Sequence, residues 1–264
     1  MQRRGPACQV GVLFVRGLGS YVMSNLLVLR QAAFNLAMAR YESKAFYRWT
    51  GRVVAFVNVS AQAAILCLIW RQSPNGFAQI GIFAGAFATA DFVNGWVHMH
   101  MDNAAPYDSL AGPFYAAFHL HHRRPRYRRR PILVVYYQEA GSKVWLALVE
   151  LCLLLAVTLG LLRGGFVFFV FDFAVLSCVA EVSHYLCHVP SSKFARWLAN
   201  SRLLLSRRHH VRHHREDNVQ YAFLNGMSDP VLNWVAKKYY AGYKTTTDRH
   251  YATYSGKETA NRAG

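Results

Sequence analysis

The amino-acid sequence predicts an all-α, polytopic membrane protein with four transmembrane helices and a histidine cluster on its cytoplasmic face. Three observations predict it. The chain is 53% hydrophobic yet carries 30 Lys and Arg against 13 Asp and Glu, so its apolar residues must be gathered into blocks that charged connections separate. Those blocks are each near twenty residues long, about 30 Å of helix, which matches the hydrocarbon thickness of a bilayer. Most of the 12 histidines stand in tight groups at the ends of the blocks.

Residues 1–50 read as a basic N-terminal segment. From Tyr21 to Tyr41 the residues Leu26, Leu27, Leu29, Phe34, Leu36 and Met38 are interspersed with Arg30 and Arg40, and no acid precedes Glu42 in that stretch. An amphipathic helix lying on the membrane, an Arg-rich targeting segment and a true start at Met23 each account for the pattern.

Residues 51–244 are expected to form the membrane domain. The spans are placed at about Val53–Trp70, Phe77–Met99, Val144–Leu162 and Phe166–His188. The first and third are plain apolar runs, bounded by Arg52 and Arg71 and by Lys143 and Arg163. The second carries Asp91 and His98, and the fourth carries Asp172, Glu181, His184 and His188. Such groups are costly in lipid unless they face a protein-lined cavity. Only Arg71 and Arg163 lie in the short turns after the first and third spans; the other basic residues fall on the opposite side. Lys and Arg are retained on the cytoplasmic side, so both termini and the histidines are expected there. Residues 245–264 read as a polar tail without a packed core.

The five cysteines, at positions 8, 67, 152, 178 and 187, form no CxxC pair, and three lie inside apolar blocks, which argues against a disulfide framework. A net charge of +17 suits an anionic membrane face. A nucleic-acid partner is not expected, because the arginines alternate with spans instead of covering a soluble fold.

The histidines carry the chemistry. Asp91, Asn94, His98 and Asp102 recur at helical spacing and form one polar stripe, followed by His121 and His122. Glu181, His184 and His188 share a second face. In the run from Ser206 to His214, helical spacing pairs His209 with His213 and His210 with His214. Crowded imidazoles cannot all charge together cheaply, whereas neutral imidazole is a good metal ligand. The set His98, His121, His122, His184, His188, His209, His210, His213 and His214 exceeds what one ion with an open position can take, so two metals fit the count. Asp102 joins this set as a ligand, Glu181 is a ligand or holds one in place, and Asp91 is read as the buried orienter of His98. His100, His119 and His250 are left out as interfacial, spare and tail residues.

Imidazole and carboxylate without thiolate is the ligand set of non-haem iron in oxygen chemistry. Zinc fits the ligand type too, but HExxH is absent. A bis-histidine haem would leave most of the histidines unexplained. Iron ranks first.

The motifs Ala90-Asp91-Phe92-Val93-Asn94-Gly95-Trp96-Val97-His98 with Asp102, Phe118 with His121, His122 and Pro125, His184-Tyr185-Leu186-Cys187-His188, and Arg208-His209-His210-Val211-Arg212-His213-His214 resemble a known family. It is the lipid desaturase family that contains plasmanylethanolamine desaturase, a bacterial homologue in light-induced carotenoid synthesis and a plant plastid desaturase of phosphatidylglycerol acyl chains. The resemblance runs over roughly residues 50–245. It implies two iron ions, a membrane phospholipid substrate, dioxygen, and a cytochrome b5-like or ferredoxin-like electron donor. The HxxxH and HxxHH ligand boxes carry over to His184 and His188, and to His210, His213 and His214. Two departures accompany it. Where the family usually has a further His-Asp pair and an acidic-Thr-Asn-Gly stretch, this chain reads Arg130-Pro131-Ile132-Leu133 and then Tyr136-Tyr137-Gln138-Glu139; where the family often has another histidine, it has Asn218.

Overall fold

A computed structural model describes residues 26–72, 75–123, 129–189, 192–247 and 254 of the chain. Every regular element among them is helical. Residues 26–43 form α1. Then follow α2 (Ala45–Ile69), α3 (Gly76–Asn103), α4 (Gly112–Arg123), α5 (Ile132–Glu139), α6 (Val144–Thr158), α7 (Gly165–His188), α8 (Lys193–Asn200), α9 (Arg207–Arg215) and α10 (Asp229–Tyr239).

Helix α1 overlaps most of the stretch expected to be amphipathic, and one of its faces packs on the protein. Phe34, Ala37 and Met38, at helical spacing, are buried against Tyr107, Ala116 and Leu120, and Tyr254 joins them. Helix α2 already begins at Ala45, and Thr247 is buried, its hydroxyl donating to the Asp102 carbonyl at 2.5 Å. Residues 1–25 and nearly all of the expected tail beyond Thr247, His250 included, lie outside the described residues.

Among the described residues, three helices are long and apolar enough to cross a membrane: α2 with the short turn after it, α3 and α7. The expected third span, Val144–Leu162, differs. Helix α6 has 15 residues, about 22 Å, and ends at Thr158 before a turn with Gly160 and Gly164 at positive φ. It reaches the length of a span only when joined to residues 132–142, from which it is bent by 93°. The bend has a cause. Gly141 packs so closely on Gly51 that a Cβ there would sit 2.3 Å from the Gly51 carbonyl oxygen. At the bend the Asn58 amide donates to the Ala140 and Lys143 carbonyls at 2.8 and 3.3 Å, beside the backbone bonds that these carbonyls accept from Lys143 and from Leu146 and Ala147. Buried irregular backbone is tolerated where protein groups satisfy it in this way.

Helices α3 and α7 form the centre. Ala86 and Ala90 cluster with Ala174, Cys178 and Ala180, small residues that let the two backbones approach, and with Phe173. Gly95 does the same against the C-terminal region: a Cβ would lie 2.4 Å from Leu232 and 3.0 Å from the Ala222 backbone. Each of α3 and α7 carries histidines in its last turns, and α4 and α9 bring theirs to the same place.

Candidate metal centre

Two groups of side chains converge. In the first, His121, His184, His188, His210 and His214 each offer a ring nitrogen; in the second, His98, His122 and His213 do so together with an Asp102 oxygen. Within each group these atoms all lie within 4.8 Å of one another.

The second group is entirely buried. Asp102 Oδ2 lies 3.2 Å from His98 Nε2 and 3.4 Å from His213 Nε2, and Oδ1 lies 3.2 Å from His122 Nε2. The backbone sets the ring orientations. His98 Nδ1 donates to the Tyr221 carbonyl at 2.7 Å, and His213 Nδ1 donates to the Val219 carbonyl at 2.9 Å. Because a carbonyl only accepts, each Nδ1 carries the proton and each Nε2 presents its lone pair to Asp102. Both Asp102 oxygens and His213 Nε2 are buried without a hydrogen-bond partner among the described residues. A cation would satisfy all three.

In the first group Nε2 atoms crowd one another. His121 and His188 lie 3.1 and 3.2 Å from His184, and His210 lies 2.8 Å from both His188 and His214. Burial, reinforced by the neighbouring imidazoles, holds His121 and His210 well below the ordinary imidazole pKa and brings His214 down to about 2. The rings are therefore neutral near pH 7, and a bound cation replaces lone-pair repulsion with attraction. The donor sets, five imidazole nitrogens in the first group and three with one carboxylate in the second, with no thiolate in either, fit iron.

Helix geometry explains how neighbours in sequence divide between the groups. Consecutive residues point about 100° apart, so on α4 His121 turns to the first group and His122 to the second. On α9, which Ser206 caps by accepting from the His209 amide at 3.2 Å, His210 and His214 share the first group while His213 faces the second.

His209 departs from the expectation that it is a ligand. It turns the other way, and its Nε2 meets Asp229 Oδ2 at 2.5 Å, outside both groups. The other Asp229 oxygen accepts from the Ala222 amide, so this pair fastens α9 to the start of α10. We expect His209→Ala to retain the full metal content of the wild-type protein by elemental analysis while lowering its unfolding temperature; metal loss equal to that of His213→Ala would contradict the placement.

Asp91 also acts differently from expectation. It does not touch His98. Its carboxylate accepts from the amides of Asn225, Gly226 and Ser228 and from the Ser228 hydroxyl, at 2.7–3.1 Å, and so ties the 225–228 turn to α3. The residue that orients His98 is Tyr221, through its carbonyl. Glu181 behaves as a supporting residue, with Oε1 paired to Lys143 Nζ at 2.8 Å and Oε2 3.8 Å from His184 Nδ1. Lys143, expected to mark a membrane boundary, is buried and also donates to Asn94 at 2.5 Å.

Further contacts have no motif. Phe223 stacks on His184 with ring centroids 4.3 Å apart and lies 4.1 Å from His98, so one apolar ring touches both groups. Tyr243 donates to the His213 carbonyl. His119 is a structural residue, bonded to the Met101 carbonyl and the Tyr107 hydroxyl, and His100 is exposed.

A family model, the lipid desaturase domain, matches residues 87–238. No curated protein and no solved structure matches the chain. The matched region takes in Asp91, both histidine groups and nearly all of α10, more than half of the sequence, so the resemblance of the motifs and the convergence of their side chains lead to one result. The chain belongs to the lipid desaturase domain family.

Proposed function

We propose that this protein is a di-iron membrane desaturase that introduces a double bond into a phospholipid, with a plasmanylethanolamine-type ether lipid as substrate. The observation that carries this reading is the pair of histidine groups at the ends of α3 and α7, two helices apolar and long enough to span a bilayer. Such a site can meet a chain that never leaves the membrane.

The reaction removes one hydrogen from each of two adjacent carbons. With one dioxygen, two electrons and two protons, it gives a carbon–carbon double bond and two waters. Iron, when bound, supplies the oxygen activation that no side chain can provide. His121, His184, His188, His210 and His214 would hold one ion, and His98, Asp102, His122 and His213 the other. The Val219 and Tyr221 carbonyls keep the ligand nitrogens of His213 and His98 in one tautomer. Phe223 and the burial of the rings exclude water, which protects an oxidising site from side reactions. The charge asymmetry of the connections supports a cytoplasmic position for the histidines and both termini, where a cytochrome b5-like or ferredoxin-like donor is available.

The test is a lipid profile. Expression in cells that lack vinyl-ether lipids should yield acid-labile plasmalogen that releases aldehyde on mild acid treatment. A new acyl double bond or a hydroxylated chain would redirect the assignment to an acyl-lipid desaturase or hydroxylase. Bound metal with an unchanged lipid profile would identify a non-catalytic metal-binding membrane protein.

A further inference from the structure

Helix α9 has two chemically opposite faces. Its inner face gives His210, His213 and His214 to the two groups, while Arg208, Arg212 and Arg215 are exposed on the outer side and Arg207 is exposed at the first residue of the helix. These four arginines border a hollow of about 840 Å³. The one acid in its wall, Glu216, is tied to Arg212 at 2.8 Å, which leaves a strongly cationic concavity.

A basic surface beside a membrane has two ordinary uses, contact with anionic lipid or contact with an acidic protein. The structure separates them. Helix α8 is the element built for lipid: Phe194 and Trp197 are exposed with their rings stacked 5.9 Å apart, and Leu203 is exposed just beyond them. The hollow on α9 has Val211 as its one aliphatic wall residue and no aromatic ring other than the imidazole of His209. A surface whose described lining offers only one small aliphatic side chain suits a hydrated, negatively charged partner.

We propose that the outer face of α9 is the docking surface for an acidic one-electron carrier protein. The proposal rests on the desaturase reading, because double-bond formation is what demands electrons. The ligands His210 and His214 project from the opposite side of the same helix, so a carrier seated on the arginines is separated from the first histidine group by one helix, roughly 10 Å across. Each docking passes one electron from the reduced carrier to the site and releases an oxidised carrier. Two dockings serve one double bond.

The experiment uses the full-length, metal-loaded protein in nanodiscs of phosphatidylcholine, with the soluble acidic haem domain of a cytochrome b5 as the probe. Wild-type affinity for the haem domain should fall as salt rises. The Arg208→Glu/Arg215→Glu protein should bind it at least 10-fold more weakly at low ionic strength, and Arg208→Gln/Arg215→Gln should lie between the two. Metal content and turnover driven by dithionite should match the wild type, which controls for folding. Equal affinity of all three proteins for the haem domain overturns the proposal. Loss of binding to phosphatidylserine vesicles with affinity for the haem domain preserved also overturns it, and reassigns the face to the membrane. Failure of dithionite to drive product formation in the wild type counts against the desaturase reading instead, since affinity for the carrier is read separately.

Discussion

Replacing Asp102 by Asn is expected, on the proposed di-iron reading, to remove the metal of the second group while leaving that of the first, so that bound iron falls from two equivalents to one. Asp102 is the one carboxylate among the nine residues of the two groups, and it stands within 3.2–3.4 Å of three ring nitrogens. The amide keeps the shape but removes the negative charge. An ion held by three neutral imidazoles and an amide loses its nearest compensating anion and one of its better donors. Partners one step removed from a metal already change affinity or activity by about 10–100-fold when lost, so product formation should drop by at least ~100-fold. His213→Ala should behave alike, because its Nε2 is buried and aimed at the same carboxylate. His184→Ala should empty the first group instead. Elemental analysis with Mössbauer spectroscopy distinguishes these outcomes, since the two groups offer different ligand sets. Full iron and full activity in the Asp102→Asn protein would sink the assignment of the second group.

The largest effect on stability is expected at Asp91. This fully buried carboxylate accepts four hydrogen bonds, three from backbone amides and one from the Ser228 hydroxyl. Asp91→Ala leaves the Asn225, Gly226 and Ser228 amides without their acceptor in a region where α3 packs on the C-terminal segment. Hydrogen bonds to a charged acceptor contribute about 1.5–3 kcal/mol each but do not add fully, so a loss on the order of 4 kcal/mol is expected. The effect should reach the metal. The 225–228 turn leads into Asp229, which holds the Ala222 amide, and the neighbouring Tyr221 carbonyl orients His98. Unfolding of the purified protein in detergent measures the first consequence and iron content the second. Unchanged unfolding would show that the turn is held by other contacts.

Much of this molecule could be read from the sequence because its strongest signals are local. Apolar blocks near twenty residues long report helices in a membrane, and α2, α3 and α7 follow them. The three- and four-residue spacing of His184 with His188, and of His210 with His214, reports a shared helix face, and each pair does meet in one group. Motifs spread over several segments pointed to the lipid desaturase family, and the family match over residues 87–238 agrees.

What required the tertiary structure depends on how helices are rotated and broken against one another. Spacing placed His209 on a stripe with His213, but the short helix α9 is turned so that His209 faces Asp229, twenty positions away. Asp91 and His98 share a stripe on α3, yet Asp91 is used by a turn 134 residues or more further along the chain. The third apolar block is long enough by composition, but α6 stops at Thr158 before a turn with Gly160 and Gly164 at positive φ, and the helical residues 132–142 ahead of it, where Gly141 packs on Gly51, stand at 93° to it. Lys143 looked like a membrane boundary and is instead a buried partner of Glu181. Periodicity along one helix fixes which residues share a face. Only contacts between distant segments decide what that face meets, and so which neighbours in sequence serve one metal, the other or none.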